Sequence, residues 1–411
     1  MLFLYNLFIF VYKASAKLLA FFNKKAKLWV EGRKNLLQNI KIAMKDNTSA
    51  IAWFHCASLG EFEQARPLIE SFKKKFPSFK IVLTFFSPSG YEIRKNYGYA
   101  DFVFYLPSDT KRNANDFIEL VKPKIVFFTK YEFWYHFLKT LSANNIQTLS
   151  FSAIFRKEQI FFKSYGKFYL KFLNLFNIIF VQDKNSYDLL KDHGVNHVNI
   201  CGDTRFDRVL EQTKLTKKFP IVENFIGDEK VIILGSSWPD DFDVLKVTLL
   251  NRSYKIIIAP HEISEQDNVS IESFFKDNTQ RYSLANSTSL ESKKVLIIDN
   301  IGMLSSLYQY ADLAYIGGGF GKGIHNILEA AAFGIPVVFG PNFNRFKEAQ
   351  DLIKLGCAFS ISKSDNFNSI IDILSDQDKL DNIDKASKKY IIDNSGATTE
   401  ILNYCQKIIN L

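Results

Sequence analysis

The 411-residue chain has few of the residues that make small folds by cross-linking. Its four cysteines, Cys56, Cys201, Cys357 and Cys405, lie far apart and form no C-x-x-C pair. That excludes a disulfide framework and a zinc site of the usual spacing, and a reducing compartment is the simplest setting. Six histidines include no H-E-x-x-H, so the zincin class is absent. There is no internal repeat and no low-complexity segment, which removes solenoids and disordered tails. No RRM, zinc-finger or helix-turn-helix signature accompanies the positive charge, so nucleic acid is not an expected partner.

What is present is apolar and long. Hydrophobic residues make up 47% and charged ones 23%, a globular balance. A chain of 411 residues exceeds one ordinary core, so two domains are expected. The net charge of +9 is unevenly placed: residues 1–80 carry 14 Lys/Arg against 5 Asp/Glu, and the remaining 38 and 38 cancel. A basic N-terminal region on a neutral body favours an anionic surface or substrate there.

The first 22 residues, MLFLYNLFIFVYKASAKLLAFF, suggest that surface. A helix of this length measures about 33 Å, enough to cross a bilayer. Lys13 and Lys17 on one helical face favour a helix lying in the interface instead. Lys24, Lys25, Lys27, Arg33 and Lys34 follow, placed to meet anionic headgroups and to hold this side cytoplasmic. Ala14-Ser15-Ala16 resembles a signal-peptidase site, but no positive segment precedes the apolar run. A core helix remains the plain alternative.

From residue 50 to 200, apolar strands alternate with helical patterns: 51–56, 80–86, 102–106, 124–128, 148–153, 178–182 and 199–202. Residues 211–225 lose periodicity and read as a linker. Strands resume at 231–235, 255–260, 294–299, 313–319 and 336–340, before a helical tail from 382. Such alternation means parallel sheets covered on both faces. The expected architecture is α/β: two doubly wound, Rossmann-like domains facing a cleft, behind a membrane-associated helix. The boundaries expected are 1–22 for the anchor, 23–215 for an acceptor-binding domain and 222–411 for a donor-binding domain, whose tail helix can return to the first. In such sheets ligands sit beyond the carboxyl ends of the strands.

The stretch 311–329, ADLAYIGGGFGKGIHNILE, is the most informative. A strand over Ala311–Ile316 is followed by five glycines between Gly317 and Gly323, then by a helix expected from His325 to before Gly334. Glycine N–H groups, Gly318 and Gly319 among them, can approach a phosphate, and a helix N-terminus adds partial positive charge. Asn326 and Glu329 share the first turn, where the carboxylate suits ribose hydroxyls. Neither a Walker A nor a G-x-G-x-x-G frame fits, and a tight turn packing helix on sheet explains the same residues.

Other strand-end loops carry candidates. Ala57-Ser58-Leu59-Gly60-Glu61 precedes a helix expected from Phe62. Glu61 could abstract a hydroxyl proton as a general base, with Gly60 leaving room for substrate. The helix N-terminus would lower its pKa, and burial would have to offset that. Ser87, Ser89 and Gly90 could hold an anion or simply cap a turn. Ser236, Pro260-His261 and Ile301-Gly302-Met303 end strands of the second half and are candidate nucleotide contacts. Glu132 and Arg205 sit in KYEFWY and GDTRFD, surface charges when taken alone.

Together these motifs resemble the 3-deoxy-D-manno-octulosonic acid (Kdo) transferases, glycosyltransferase family 30, of GT-B fold. The resemblance rests on WFHCASLGE (53–61), TFFSPSG (84–90), YLPSD (105–109), the Glu132 segment, Phe155-Arg156, GDTRFD (202–207) and the block 317–349. It implies transfer of Kdo from CMP-Kdo to the 6'-hydroxyl of a lipid A precursor, with inversion, at the cytoplasmic face of the inner membrane. It implies Glu61 as base and Glu132 and Arg205 as transition-state stabilisers. CMP would be held by Pro260, His261, Ile301, Gly302, Met303, Asn326, Ile327, Leu328 and Glu329. No D-x-D pair adjoins the glycine loop, so neither metal nor other cofactor is expected. The chain departs from the family pattern at Arg205 (usually Lys), His261 (near a usual Arg), Met303 (usually Glu) and Tyr135 (usually Pro). Backbone contacts to CMP remain open at 261 and 303. Two other functions fit parts of the pattern: another GT-B sugar-nucleotide transferase or epimerase, and a non-catalytic membrane-anchored nucleotide-sugar binding protein.

Overall fold

The structure is a computed structural model that describes residues 1–215, 217–251, 253–285, 290 and 292–409. Two compact units divide the chain: Met1–Arg208 with Ser395–Leu411, and Val209–Asn394.

The first unit is built on seven strands: β1 Ile51–Cys56, β2 Lys80–Phe85, β3 Phe102–Tyr105, β4 Pro123–Thr129, β5 Gln147–Ala153, β6 Ile178–Val181 and β7 Val198–Ile200. They form one parallel sheet ordered β3-β2-β1-β4-β5-β6-β7. Every residue of β1 is buried, as expected for a strand covered on both faces. Alternate side chains feed opposite cores: Ile51 and Trp53 enter one cluster, and Ala52, Phe54 and Cys56 the other.

The second unit repeats the plan with β8 Val231–Ser237, β9 Lys255–Pro260, β10 Thr279–Arg281, β11 Val295–Ile297, β12 Leu313–Ile316, β13 Val337–Phe339 and β14 Ala358–Ser360. Its parallel order is β10-β11-β9-β8-β12-β13-β14. The strand order reverses between β1 and β4 in the first sheet and between β8 and β12 in the second, where β10 also lies outside β11 at the edge. The loops leaving those strands flank the crevice where open α/β sheets bind ligands.

Three sequence expectations change. β10 and β14 were not anticipated: each is a three-residue strand at a sheet edge, too short for a periodic signal. The expected linker 211–225 is largely helical, covered by Thr204–Lys214 and Pro220–Ile226. The helical tail is two helices, Gln377–Asp393 and Ala397–Ile409, of which the second belongs to the first unit, the return that the sequence allowed. Asp207 holds it there, accepting N–H bonds from Gly396 (2.5 Å) and Thr398 (2.8 Å).

The N-terminal helix is Leu2–Leu19, about 27 Å long at 1.5 Å per residue. It is long and apolar enough to cross a membrane by length and composition, yet one face is docked. Tyr5 and Ile9 are buried in the first unit's core. The Tyr5 hydroxyl donates to Asp109 Oδ2 (2.5 Å), and Asn6 Oδ1 lies 2.7 Å from His136 Nε2. Asp109 also accepts from the His136 and Phe137 N–H groups (both 3.0 Å), capping the helix Tyr135–Ala143. On the other face Phe3, Phe8 and Phe10 are 76%, 62% and 69% exposed. Arg33, expected to face headgroups, is enclosed instead. It donates to the Trp29, Phe86 and Leu106 carbonyls and stacks on the Trp29, Phe86 and Tyr105 rings.

Candidate active site

Glu61 and Glu132 follow β1 and β4, the strands flanking the first unit's reversal point. The helix after β1 begins at Leu59 rather than Phe62, so Glu61 lies in its first turn. Its Oε2 reaches back to the Ala57 N–H at 2.5 Å, the geometry of a capping carboxylate. A cap alone would depress the carboxyl. The balance goes the other way: Glu61 is pushed up to about 8, by burial first and the Glu132 charge second, against the Ala57 N–H, Lys130 and the Ser58 N–H. A Cβ added at Gly60 would meet nothing nearer than Ser58 Oγ at 4.0 Å, so the approach beside Glu61 is open.

Glu132 is 8% exposed. Its Oε2 lies 2.9 Å from His55 Nε2 and accepts from Trp134 Nε1 at 2.7 Å. Arg205 folds onto Asp203, with its backbone N–H on Oδ1 and its Nε on Oδ2, both at 2.9 Å. Gln64 Nε2 also reaches both Asp203 oxygens, at 3.2 Å. Burial would raise the Asp203 carboxyl, but the Arg205 charge and N–H hold it below the usual range. Gln64 follows Glu61 by three on one helix, so Arg205 is tied to the element that carries Glu61. Lys130 directly follows β4 with φ of 55° and acts electrostatically on both Glu61 and Asp203.

The Ser87–Gly90 hydroxyls are engaged locally. Ser87 Oγ caps the helix Pro88–Arg94 through the Ser89 N–H (3.3 Å) and lies 3.0 Å from Ser89 Oγ. Gly90 leaves no room for a side chain, since an added Cβ would meet the Phe85 ring at 2.2 Å. Elsewhere in this unit the N-terminal helices enclose a cavity of about 590 Å³, lined by Lys13, Lys17, Arg33, Lys34, Gln38 and Asn113 among others. No lining residue is acidic.

The second unit's candidates lie at the carboxyl ends of β8 and β9 and on the segments after β11 and β12. Ser236 takes φ of 52°. Trp238, His261 and His325 stack face to face, with Trp238–His261 centroids 4.6 Å apart and His261–His325 4.2 Å. The Trp238 indole N–H donates to His325 Nε2 at 2.9 Å. Burial, then the neighbouring His261, lowers His325 to about 4, so it is neutral at pH 7. His261 is also lowered, by burial. Asp241, fully buried, accepts from the Tyr315 hydroxyl (2.6 Å), the Trp238 N–H (2.8 Å) and the Gly318 N–H (3.2 Å). Gly318, expected to offer its N–H to a phosphate, therefore spends it on Asp241, at φ of 89°. Its carbonyl accepts from Gly321 and Gly323. Gly319 permits a close backbone approach: a Cβ there would meet Gly340 N at 2.5 Å.

The helix expected from His325 is a single turn, Leu328–Ala331. Residues 324–327 run irregularly because the His325 N–H bonds the Gly317 carbonyl, and the dipole expected from a longer helix is accordingly small. The expected pair is formed nonetheless: Asn326 Nδ2 donates to Glu329 Oε1 at 3.0 Å, and Asn326 Oδ1 accepts from the Leu328 N–H at 3.3 Å. Ile327, Leu328 and Met303 are buried, Pro260 is half-buried, and Ile301 is 89% exposed beside Gly302 at φ of 93°. The first three side chains are thus core, leaving only their backbone for a ligand. Trp238, Asp241, His325, His55, Thr84 and Lys130 were not singled out from sequence. His55, Thr84, Lys130 and His325 stood inside motifs named above, Trp238 and Asp241 in none.

Residues 32–208 match the family described as 3-Deoxy-D-manno-octulosonic-acid transferase (kdotransferase). The chain is also 27% identical to the 3-deoxy-D-manno-octulosonic acid transferase of Chlamydophila psittaci, over 85% of its own length and 84% of that protein. This chain is similar to the Kdo transferases. Another Kdo transferase, from Aquifex aeolicus, is 27% identical over 77% of this chain and 83% of its own. The matched stretch contains Glu61, Glu132 and Arg205. In fold alone, the chain resembles UDP-GlcNAc 2-epimerase from Neisseria meningitidis, with TM-score 0.62 and 15% identity over 87% of this chain and 99% of that one. The GT-B class expected from the motifs is the class found: two parallel doubly wound sheets and an apolar N-terminal helix.

Proposed function

We propose that this protein is an inverting glycosyltransferase that moves Kdo from CMP-Kdo to the 6'-hydroxyl of a lipid A precursor. The observation that carries the mechanism is Glu61, raised to about 8 beside Glu132 at a strand-order reversal. A base poised near the working pH suits abstraction of a sugar hydroxyl proton. In the step proposed, the acceptor oxygen bonds the Kdo anomeric carbon and its proton passes to Glu61. The bond from that carbon to the CMP phosphate breaks, and CMP leaves with the electron pair. A single displacement inverts the centre. Glu132 offsets the positive character of the migrating sugar, and Arg205 pairs with negative charge carried by the donor.

The donor belongs to the second unit on this reading. Asn326 and Glu329 face the ribose, Pro260, His261 and residues 301–303 the cytidine, and backbone groups at Ser236 and Gly319 the phosphate. The acceptor is an anionic lipid, which the acid-free cavity lined by Lys13, Lys17, Arg33 and Lys34 suits. The exposed Phe3, Phe8 and Phe10 face would lie in the cytoplasmic leaflet as an interfacial helix.

The test is to incubate purified protein in mixed micelles with CMP-Kdo and a tetraacylated lipid A precursor and to read product masses. An increment of Kdo on the lipid is expected. Glu61→Gln should keep CMP affinity and lose about 10²–10⁴-fold in turnover; near-normal turnover would remove Glu61 from the mechanism. Transfer should also persist in EDTA, because backbone N–H groups are assigned to the leaving phosphate. A chelated enzyme revived only by Mg²⁺ would overturn that part.

A further inference from the structure

Behind Glu132 lies a row of buried polar groups that the proposed chemistry does not use. Trp53, Thr84 and His55 are all 0% exposed, on the neighbouring strands β1 and β2. Trp53 Nε1 lies 2.8 Å from Thr84 Oγ1, and Thr84 Oγ1 lies 2.8 Å from His55 Nδ1. His55 Nε2 then lies 2.9 Å from Glu132 Oε2. We infer that this row is a one-way chain of donors, Trp53 to Thr84 to His55 to Glu132, and that His55 is a positioning residue for Glu132.

The direction follows from what each group can give. An indole N–H only donates, so Thr84 Oγ1 accepts from Trp53. The threonine hydroxyl has one proton left, and His55 Nδ1 at 2.8 Å is a better acceptor than the Phe54 carbonyl at 3.4 Å. His55 Nδ1 is thereby the acceptor, and the ring proton sits on Nε2, facing the carboxylate. The opposite tautomer would set an Nε2 lone pair 2.9 Å from a carboxylate oxygen. It would turn an Nδ1 proton towards the Thr84 carbonyl at 3.2 Å, longer than the 2.8 Å to Thr84 Oγ1, and leave the threonine proton only the long bond to Phe54. The chain is held at its far end, since Trp53 packs edge-on against Phe128 and Phe137.

The consequence is local. With that tautomer His55 and Trp134 both donate to Oε2 of Glu132; the Trp134 indole N–H, also 3.2 Å from His55 Nε2, takes the shorter bond to the carboxylate at 2.7 Å. Among the described residues no hydrogen bond reaches Oε1, which is thus the oxygen left for substrate. The carboxylate plane is set by groups that never meet the sugar.

The role in turnover rests on the proposed transferase reading, but the proton's position does not. In protein carrying ¹⁵N-labelled histidine, the His55 imidazole, assigned by its loss in His55→Gln, should carry its proton on Nε2 and none on Nδ1. A δ-protonated or doubly protonated His55 would overturn the chain. His55→Leu should lower kcat by about 10²-fold, the scale of an ångström-level misplacement, with KM for CMP-Kdo little changed. His55→Gln, whose amide N–H can occupy the Nε2 position, should recover most of that loss. His55→Leu at wild-type kcat, or His55→Gln no better than Leu, would refute the positioning role. If His55→Leu does not fold, Thr84→Val serves: it removes the hydroxyl proton and should lower kcat in the same way, and unchanged kcat there also refutes the role. Wild-type protein that shows the expected tautomer but transfers no Kdo would refute the transferase reading alone.

Discussion

The Glu132 charge helps to raise the Glu61 carboxyl, and that sets a pH dependence. Glu61 stands at about 8, with burial the larger cause and Glu132 the next. A base works only when deprotonated, so kcat/KM should climb as pH rises through about 8. Removing the neighbouring charge by Glu132→Gln should lower the Glu61 pKa, and the acid limb of whatever activity remains should move to lower pH. A pH–rate series on both proteins checks this, and an unmoved limb would detach Glu132 from Glu61. Glu61 could be picked out from sequence because a strand, a glycine and a helix start surround it. His55 and Thr84 could not be. They meet because β1 and β2 pair in register, His55 against Thr84, and Glu132 arrives from 77 residues away. Nothing in the spacing of these residues encodes that register. Lys130 was hidden for a related reason: its position depends on a left-handed backbone at a strand end.

At the scale of elements, long apolar strands were plain in the sequence and short ones were not. β10 and β14 have three residues each and owe their existence to a neighbour's free edge. The one-turn helix after the glycine loop was overread because Asn326, Ile327 and Leu328 fit helical periodicity while the His325 N–H is claimed by Gly317. The N-terminal helix shows both sides of the problem. Its apolar run was obvious, but Tyr5 and Ile9 are core residues, so removing the whole segment would injure the first unit as well as any membrane contact. A better probe changes only the outer face. Phe3→Ser, Phe8→Ser and Phe10→Ser together should leave the thermal transition nearly unchanged and sharply weaken flotation with anionic vesicles, since burying one Phe side chain contributes about 1.5–3 kcal/mol. Raising salt should weaken it further through the lysines. If the triple variant floats like wild type, the exposed face is not the membrane contact.

At the scale of the whole molecule, the chain closes on its own beginning. The first unit is completed only by its last helix, Ala397–Ile409, which packs on the helix Leu59–Lys75 that carries Glu61. Sequence showed a helical tail able to return to the first unit but not what docks it, because the cap is Asp207, almost two hundred residues earlier. Ile401 is fully buried in the cluster containing Phe62, Phe72 and Phe180. Ile401→Ala should therefore cost about 2–5 kcal/mol, transfer and cavity terms together. With two units, unfolding need not be one transition, and the loss should fall on the first unit alone. Calorimetry should show one transition lowered, while CMP titration, which reads the second unit on the proposed assignment, stays at wild-type affinity. Turnover should fall at temperatures where the Glu61 helix loosens and recover on cooling. A variant that loses CMP affinity to the same degree would mean that the tail helix supports the donor site too, and that the two units are not energetically separable.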